Sequence, residues 1–252
     1  MSLINTYFWD EIKNFLIAFQ FLTIFPIKID LKIKEKDYGN SLLYFPIIGL
    51  LIGGILVLTL FSLDFLPHLV VYILILVLSI FITGAIHLDG FADTCDGFYG
   101  AKAKEEILRI MRDNHIGAIG TVGVVCLLLF KFVLFQSIPQ NRLWRALIMM
   151  MVFSRWSQVL ACVSSKYVHQ EGKAKFFVEN ANRKKFFIGG FFTFTIFFLL
   201  SSLKGAALFI FCIIPVFLFI NFVKRKIGGL TGDTIGAVSE IAECAVLLSI
   251  VF

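Results

Sequence analysis

Three aspartates, Asp89, Asp93 and Asp96, stand at i, i+4 and i+7 in the stretch IHLDGFADTCDG, Ile86 to Gly97. At about 100° per residue a helix gathers all three within roughly 60° of one another, on one face. Like charges one turn apart repel, so a helix serving only as scaffold would avoid the pattern; the plainer reading is a solvated acidic helix end. A hard divalent cation removes the conflict, because Mg²⁺ and Ca²⁺ take carboxylate oxygens as ligands. The three aspartates are therefore candidate metal ligands. Gly90 and Gly97 beside them leave backbone open to a bulky ligand and are candidate substrate contacts.

A second acidic group lies in GGLTGDTIGAVSEIAE, Gly228 to Glu243. If a helix starts near Gly232, then Asp233, Gly236, Glu240 and Glu243 fall within about 80° of one another. The helix continues into CAVLLSIVF, which puts Glu240 and Glu243 below a membrane surface. A carboxylate there is costly unless it is paired, protonated or facing a polar cavity. Asp233, Glu240 and Glu243 are candidate catalytic groups on this reading, with Gly232 and Gly236 leaving room for substrate. The competing reading is a salt bridge to Lys131, Arg155 or a loop arginine.

Between the two groups runs AKAKEEILRIMRDNHIG, Ala101 to Gly117. Glu105 and Arg109 have i,i+4 pair spacing, and Arg109, Arg112 and Asp113 share a face. Guanidinium forks match phosphate oxygens, so Arg109 and Arg112 are candidate phosphate contacts, Asp113 a candidate catalytic carboxylate and His115 a candidate substrate contact. A basic loop helix with no ligand competes with this. His87 is placed to orient the first cluster. The loop from Ser164 to Lys185 interleaves basic and aromatic residues, which suits anionic lipid head groups or an anionic ligand.

The elements that must hold these residues are apolar. Of 252 residues, 59% are hydrophobic, 30 are Phe and only 16% are charged, with a mean hydropathy of +0.90. A soluble domain is about half apolar and a quarter charged, so the class is an all-α, polytopic membrane bundle forming a single domain over residues 1–252. Spans are expected at 42–62, 68–88, 118–136, 146–163, 187–202, 207–222 and 235–252, about seven, with hairpins joining the first two and the fifth and sixth. Residues 7–26 read as an additional interfacial or re-entrant helix ending at Pro26. The small-residue patterns Phe45–Gly54 and Ile116–Gly123 suit close helix packing. Five scattered cysteines without a CxxC pair imply neither a disulfide framework nor a zinc site. A cleavable signal is not expected.

The net charge of +6 reads as a topology signal, not as a nucleic-acid surface. With the N-terminus inside, eighteen of the 23 Lys and Arg fall on the cytoplasmic side, in residues 1–41 and the loops at about 89–117, 164–186 and 223–234. Three, Arg142, Arg145 and Lys204, fall outside, and Lys131 and Arg155 fall within spans. The bias sets the two acidic groups at the cytoplasmic face of the plasma membrane.

The stretches HLDGFADTCDGFYG, ILRIMRDNHIGAIG and GGLTGDTIGAVSEIAE, in this order and spacing, resemble the cobalamin synthase family of adenosylcobinamide-GDP ribazoletransferases. Ala18–Asp30 and Tyr44–Gly54 resemble its N-terminal pattern, and the likeness extends from about residue 18 to 248. The resemblance implies a Mg²⁺-dependent transfer: the 3′-hydroxyl of α-ribazole, or of its 5′-phosphate, attacks the cobinamide-side phosphorus of adenosylcobinamide-GDP and GMP leaves. It implies Asp89, Asp93 and Asp96 as metal ligands, Asp233, Glu240 and Glu243 as the second acidic group, and Arg109 and Arg112 on the pyrophosphate. Asn114-His115 stands where Ser-Arg is common in the family, so any phosphate contact there would be weaker and pH-dependent. A CDP-alcohol phosphatidyltransferase would share the chemistry, but its four aspartates sit in one region, whereas here the second group is some 140 residues downstream. An ion-coupled transporter is the contrasting class, and no internal repeat favours it. Membrane lipids are expected partners, and the sequence leaves a homo-oligomer open.

Overall fold

The computed structural model describes residues 2–27, 33–169 and 171–252; the end of the Ala18–Asp30 stretch, residues 28–30, lies outside them. The chain is all-α, as its composition requires. Its helices are α1 (Ser2–Leu22), α2 (Glu35–Ser41), α3 (Phe45–Ser62), α4 (His68–Ile82), α5 (Ile86–Gly100), α6 (Lys104–Ile110), α7 (Ala118–Ser137), α8 (Gln140–Ser164), α9 (Lys173–Glu179), α10 (Arg183–Ile227) and α11 (Gly232–Val251). By length and composition five of the described helical segments can cross a membrane, or six if α4 and α5 count as one broken span.

The centre is α8. Of its most apolar window 83% is buried, against 28% for α7 and for α10. It packs on α3, α10 and α11. The glycines of the Phe45–Gly54 pattern make the α3–α8 approach possible: a methyl group at Gly53 would lie 3.0 Å from the Ile148 Cα, and one at Gly49 would meet the backbone of Met151 and Val152. Outward-facing side chains such as Leu58, Phe61, Phe81, Phe191, Leu199, Ile210 and Leu218 are exposed. An apolar belt of this extent matches lipid, not water.

The span expected at 68–88 ends six residues early. Helix α4 stops at Ile82, and the chain turns through Gly84 (φ 62°) and Ala85 (φ 57°), both left-handed. Helix α5 then leaves at 88° to α4. Gly84 is required by its φ and by Ile24, whose side chain a methyl group there would meet at 2.6 Å. The Ile24 amide also donates to the Ile82 carbonyl, 2.8 Å, closing the end of α4. Asp89 consequently sits in the first turn of a new helix, where the dipole favours a carboxylate.

Helix α10 covers 45 residues but is broken at Ser201 and Ser202, whose φ/ψ are not helical. The Phe197 and Phe209 rings are 5.6 Å apart, whereas twelve residues of straight helix would separate them by about 18 Å. The segment therefore doubles back, as the expected pair 187–202 and 207–222 requires. Helix α1 is one element over Ser2–Leu22, and it is not among the helices long and apolar enough to span. All five cysteines are free.

Candidate active site

Two glycines, one on each helix, bring the acidic groups together. A methyl group at Gly90 of α5 would lie 2.7 Å from the Asp233 Cα, and one at Gly236 of α11 would lie 3.2 Å from the His87 Cα. The backbones thus cross in direct contact, and Asp89, Asp93 and Asp233 share one neighbourhood although about 140 residues separate the helices in sequence. Helix α11 starts at this point because Gly228 (φ 77°) ends α10. Thr231 then caps the new helix: its Oγ1 accepts from the Thr234 amide at 3.1 Å, and its own amide donates to the Thr234 Oγ1 at 2.9 Å.

Beside the crossing opens a cavity of about 1200 Å³. Of the residues singled out from sequence, His87, Asp89, Glu105, Arg109, Arg112, Gly232, Asp233 and Gly236 line it. Acid enters from α5 and α11, and the arginines come from α6 and the turn after it. Sequence reasoning did not single out Gln158, Tyr167, His169 or Lys173, which also line it. The loop after α8 delivers Tyr167 and His169 because it pairs with the strand-like residues before α11: the Val168 amide donates to the Leu230 carbonyl (2.9 Å) and the Leu230 amide to the Lys166 carbonyl (3.0 Å). Basic and aromatic composition marked this loop as a ligand or lipid surface; nothing local in it announces the pairing. His169 Nδ1 is 2.8 Å from an Arg112 guanidinium nitrogen. Burial, and next the Arg112 charge, hold His169 below the ordinary imidazole range, so the neutral ring accepts from the guanidinium.

Asp93 is half-buried, and α5, which is too short and too acidic to span alone, sets it outside the spans. Burial, and then the charges of Asp233, Asp89 and Asp96, push its carboxyl up to about 7. This is the like-charge conflict that the spacing implied. Asp96 differs from its neighbours. Its oxygens accept from the Gly117 amide (2.8 Å) and the Gly120 amide (2.7 Å), so it caps α7, and the small residues of the Ile116–Gly123 pattern let it reach there.

Asp93 and Asp96 are not among the lining residues, and six further candidates are placed away from the cavity wall. Glu240 and Glu243 both bind the Lys131 Nζ, at 2.5 and 2.6 Å, and Arg155 lies 3.6 Å from Glu243. All four side chains are buried. This is the salt-bridged alternative: the two carboxylates are paired where no water can solvate them. Asp113 and His115 pair with each other at 2.7 Å on an exposed turn, outside the cavity lining. Gly97 meets Met111 and Ile107 of the α6 region, and Gly90 meets Asp233; both serve helix approach instead of opening onto the cavity.

Among the described residues no three His, Cys, Asp or Glu converge as a ready-made metal group. Mg²⁺ does not need one, since it is commonly bound by one or two carboxylates together with substrate phosphates. The hard oxygen donors of Asp89 and Asp93, with Asp233 adjacent, fit that requirement. Arginines and carboxylates lining one cavity have the donor and acceptor chemistry that a metal-bridged phosphate ester requires.

Comparison with known proteins agrees with this chemistry. The family model described as cobalamin-5-phosphate synthase matches residues 14–251. An adenosylcobinamide-GDP ribazoletransferase of Geotalea daltonii is 35% identical over 245 residues, covering 95% of this chain and 97% of the relative. One of Acetivibrio thermocellus is 35% identical over 239 residues, covering 94% and 96%. No solved structure matches. With a match over nearly its whole length, and with the acidic and arginine groups of the matched region meeting at one cavity, the chain belongs to the cobalamin-5-phosphate synthase family.

Proposed function

We propose that the chain is a multi-pass membrane enzyme of cobalamin synthesis that joins α-ribazole, or its 5′-phosphate, to adenosylcobinamide-GDP and releases GMP. The observation that carries this is one cavity lined by both Asp89 and Asp233 and by Arg109 and Arg112, in a chain whose relatives bear that activity in their name.

In the reaction a ribazole hydroxyl oxygen bonds to the cobinamide-side phosphorus. The bond from that phosphorus to the bridging oxygen breaks, and the oxygen leaves with GMP. Asp233, at the N-terminus of α11, takes the hydroxyl proton and passes it to solvent. Arg109 and Arg112 hold the pyrophosphate, and His169 fixes the Arg112 guanidinium. Asp89 and Asp93 would hold Mg²⁺, which when bound offsets the charge on the phosphoryl oxygens. Glu240 and Glu243 do not touch substrate on this reading; paired with Lys131 and Arg155, they lock α11 against α7 and α8 and so set the place of Asp233. The charge bias over the loops puts the cavity on the cytoplasmic side of the plasma membrane.

Purified protein given adenosylcobinamide-GDP, α-ribazole and Mg²⁺ is expected to yield GMP and a corrinoid product in equal amounts. Absence of both overturns the assignment.

A further inference from the structure

Three buried side-chain atoms among the described residues have no hydrogen-bond partner: Asn14 Oδ1, Arg155 Nε and Gln158 Oε1. Only Gln158 belongs to the cavity lining. It projects from α8, the most buried helix, and is itself 1% exposed. Its Nε2 lies 3.2 Å from Nδ1 of His87, a second buried residue of the lining at 3% exposed. If the amide is turned over, the two atoms exchange places; either way one polar atom faces His87 and the other is unsatisfied. A buried amide group left unpaired is destabilising, so such a group in a cavity floor calls for a partner from the ligand.

We infer that Gln158, steadied by His87, is the hydrogen-bonding floor of a ribose subsite, and that it binds the hydroxyl next to the attacking one on the acceptor nucleoside. The inference rests on the ribazole-transfer reading and deepens it. Its support is position. His87 is two residues from Asp89 and lies against Gly236, and Asp233 is three residues before Gly236. The neutral hydrogen-bonding side chains of the lining beside the acidic residues are His87, Gln158 and Tyr167, whose hydroxyl lies by Gly232; of these only Gln158 carries a buried atom with no partner. A vicinal diol presented to this lining places one hydroxyl by the carboxylates and the other by the amide, whose oxygen accepts and whose NH₂ donates. Nothing in the protein pairs the amide oxygen, so a ligand hydroxyl that reaches Gln158 supplies the missing bond.

The test compares α-ribazole with its 2′-deoxy analogue. Wild-type protein is expected to favour α-ribazole by about tenfold or more in kcat/KM, the worth of one buried hydrogen bond. The Gln158→Met protein is expected to bring the two acceptors within about twofold of each other, through a raised KM for α-ribazole, while its KM for adenosylcobinamide-GDP stays at the wild-type value. That unchanged second KM is the readout a general structural defect would not spare. Equal use of the two acceptors by wild-type protein overturns the inference, as does full discrimination retained by Gln158→Met, which would mean the amide holds only water. Should Gln158→Met fail to insert, the wild-type comparison still decides. No GMP from either acceptor is a different outcome: it removes the transfer reading itself, and the subsite with it.

Discussion

At the scale of single residues, the site separates carboxylates by what already satisfies them. Asp96 is occupied by two backbone amides and Glu240 and Glu243 by buried cations. Asp89, Asp93 and Asp233 are left as a like-charged group. That difference predicts opposite phenotypes. Asp89→Asn and Asp233→Asn are expected to lower kcat by about 10²-fold or more, the usual scale for loss of a group that meets developing charge. Asp93→Asn should abolish GMP release too, yet raise the melting temperature in metal-free buffer. Relief of about 1 kcal/mol of repulsion corresponds to a shift of about 2–4 °C in a chain of this size. The same variant should lose part of the Mg²⁺-dependent rise in melting temperature that ligand linkage gives the parent protein. A drop in metal-free stability, or undiminished turnover, would refute the assignment of Asp93. The buried ion cluster behaves differently. Lys131→Met leaves two carboxylates facing only Arg155, and breaking such a pair costs about 3–5 kcal/mol. The double variant Lys131→Met/Glu240→Gln keeps Arg155 balanced by Glu243 and is expected to recover most of that loss, which thermal melts in detergent would measure.

At the scale of elements, periodicity made the helices legible, and the small-residue patterns of α3 and α7 marked them for close packing, but Gly90 and Gly236, which read as room for substrate, gave no sign of the α5–α11 crossing. The i, i+4, i+7 spacing of Asp89, Asp93 and Asp96 lies within α5, and α11 starts at Gly232 as the capping residues of that stretch imply. What periodicity could not show is that α4 and α5 are two elements. An apolar run gives no sign of a bend set by two left-handed residues, Gly84 and Ala85. Nor could it show which reading of Glu240 and Glu243 holds, because the lysine that pairs them lies 109 and 112 residues away. Gly90 carries the element-scale prediction. A methyl group there has Asp233 backbone at 2.7 Å, so Gly90→Ala must push α5 and α11 apart. A displacement of this kind near a reacting centre costs on the order of 10²-fold in rate, and overpacking costs about 1–3 kcal/mol. The expected signature is a fall in kcat with KM little changed; a rise in KM alone would return Gly90 to the substrate-contact role its sequence context suggested.

At the scale of the whole molecule, orientation follows from where cations sit relative to helix ends. The α10 hairpin states the case in one element. Its two ends carry Arg183, Lys184, Lys185 and Lys224, Arg225, Lys226, whereas its tip, at Ser201–Ser202, is followed by the single Lys204. Because the segment doubles back, both basic ends emerge on one face, and that is the face where Tyr167, His169 and Asp233 meet the cavity. Arg142 and Arg145, near the start of α8, line a small cavity with Ser201 and Lys204 at the other face. Lys and Arg are retained on the cytoplasmic side of short loops, so the orientation we propose has the cavity end inside and the Ser201–Lys204 tip outside. Two single-cysteine variants test this directly. Lys204→Cys is expected to react with a membrane-impermeant maleimide in intact cells, whereas Lys185→Cys should react only after the membrane is opened, with the parent chain as control for the native thiols. Labelling of Lys185→Cys in intact cells would put the cavity on the outer face, away from cytoplasmic nucleotide substrates, and would be incompatible with ribazole transfer at this site.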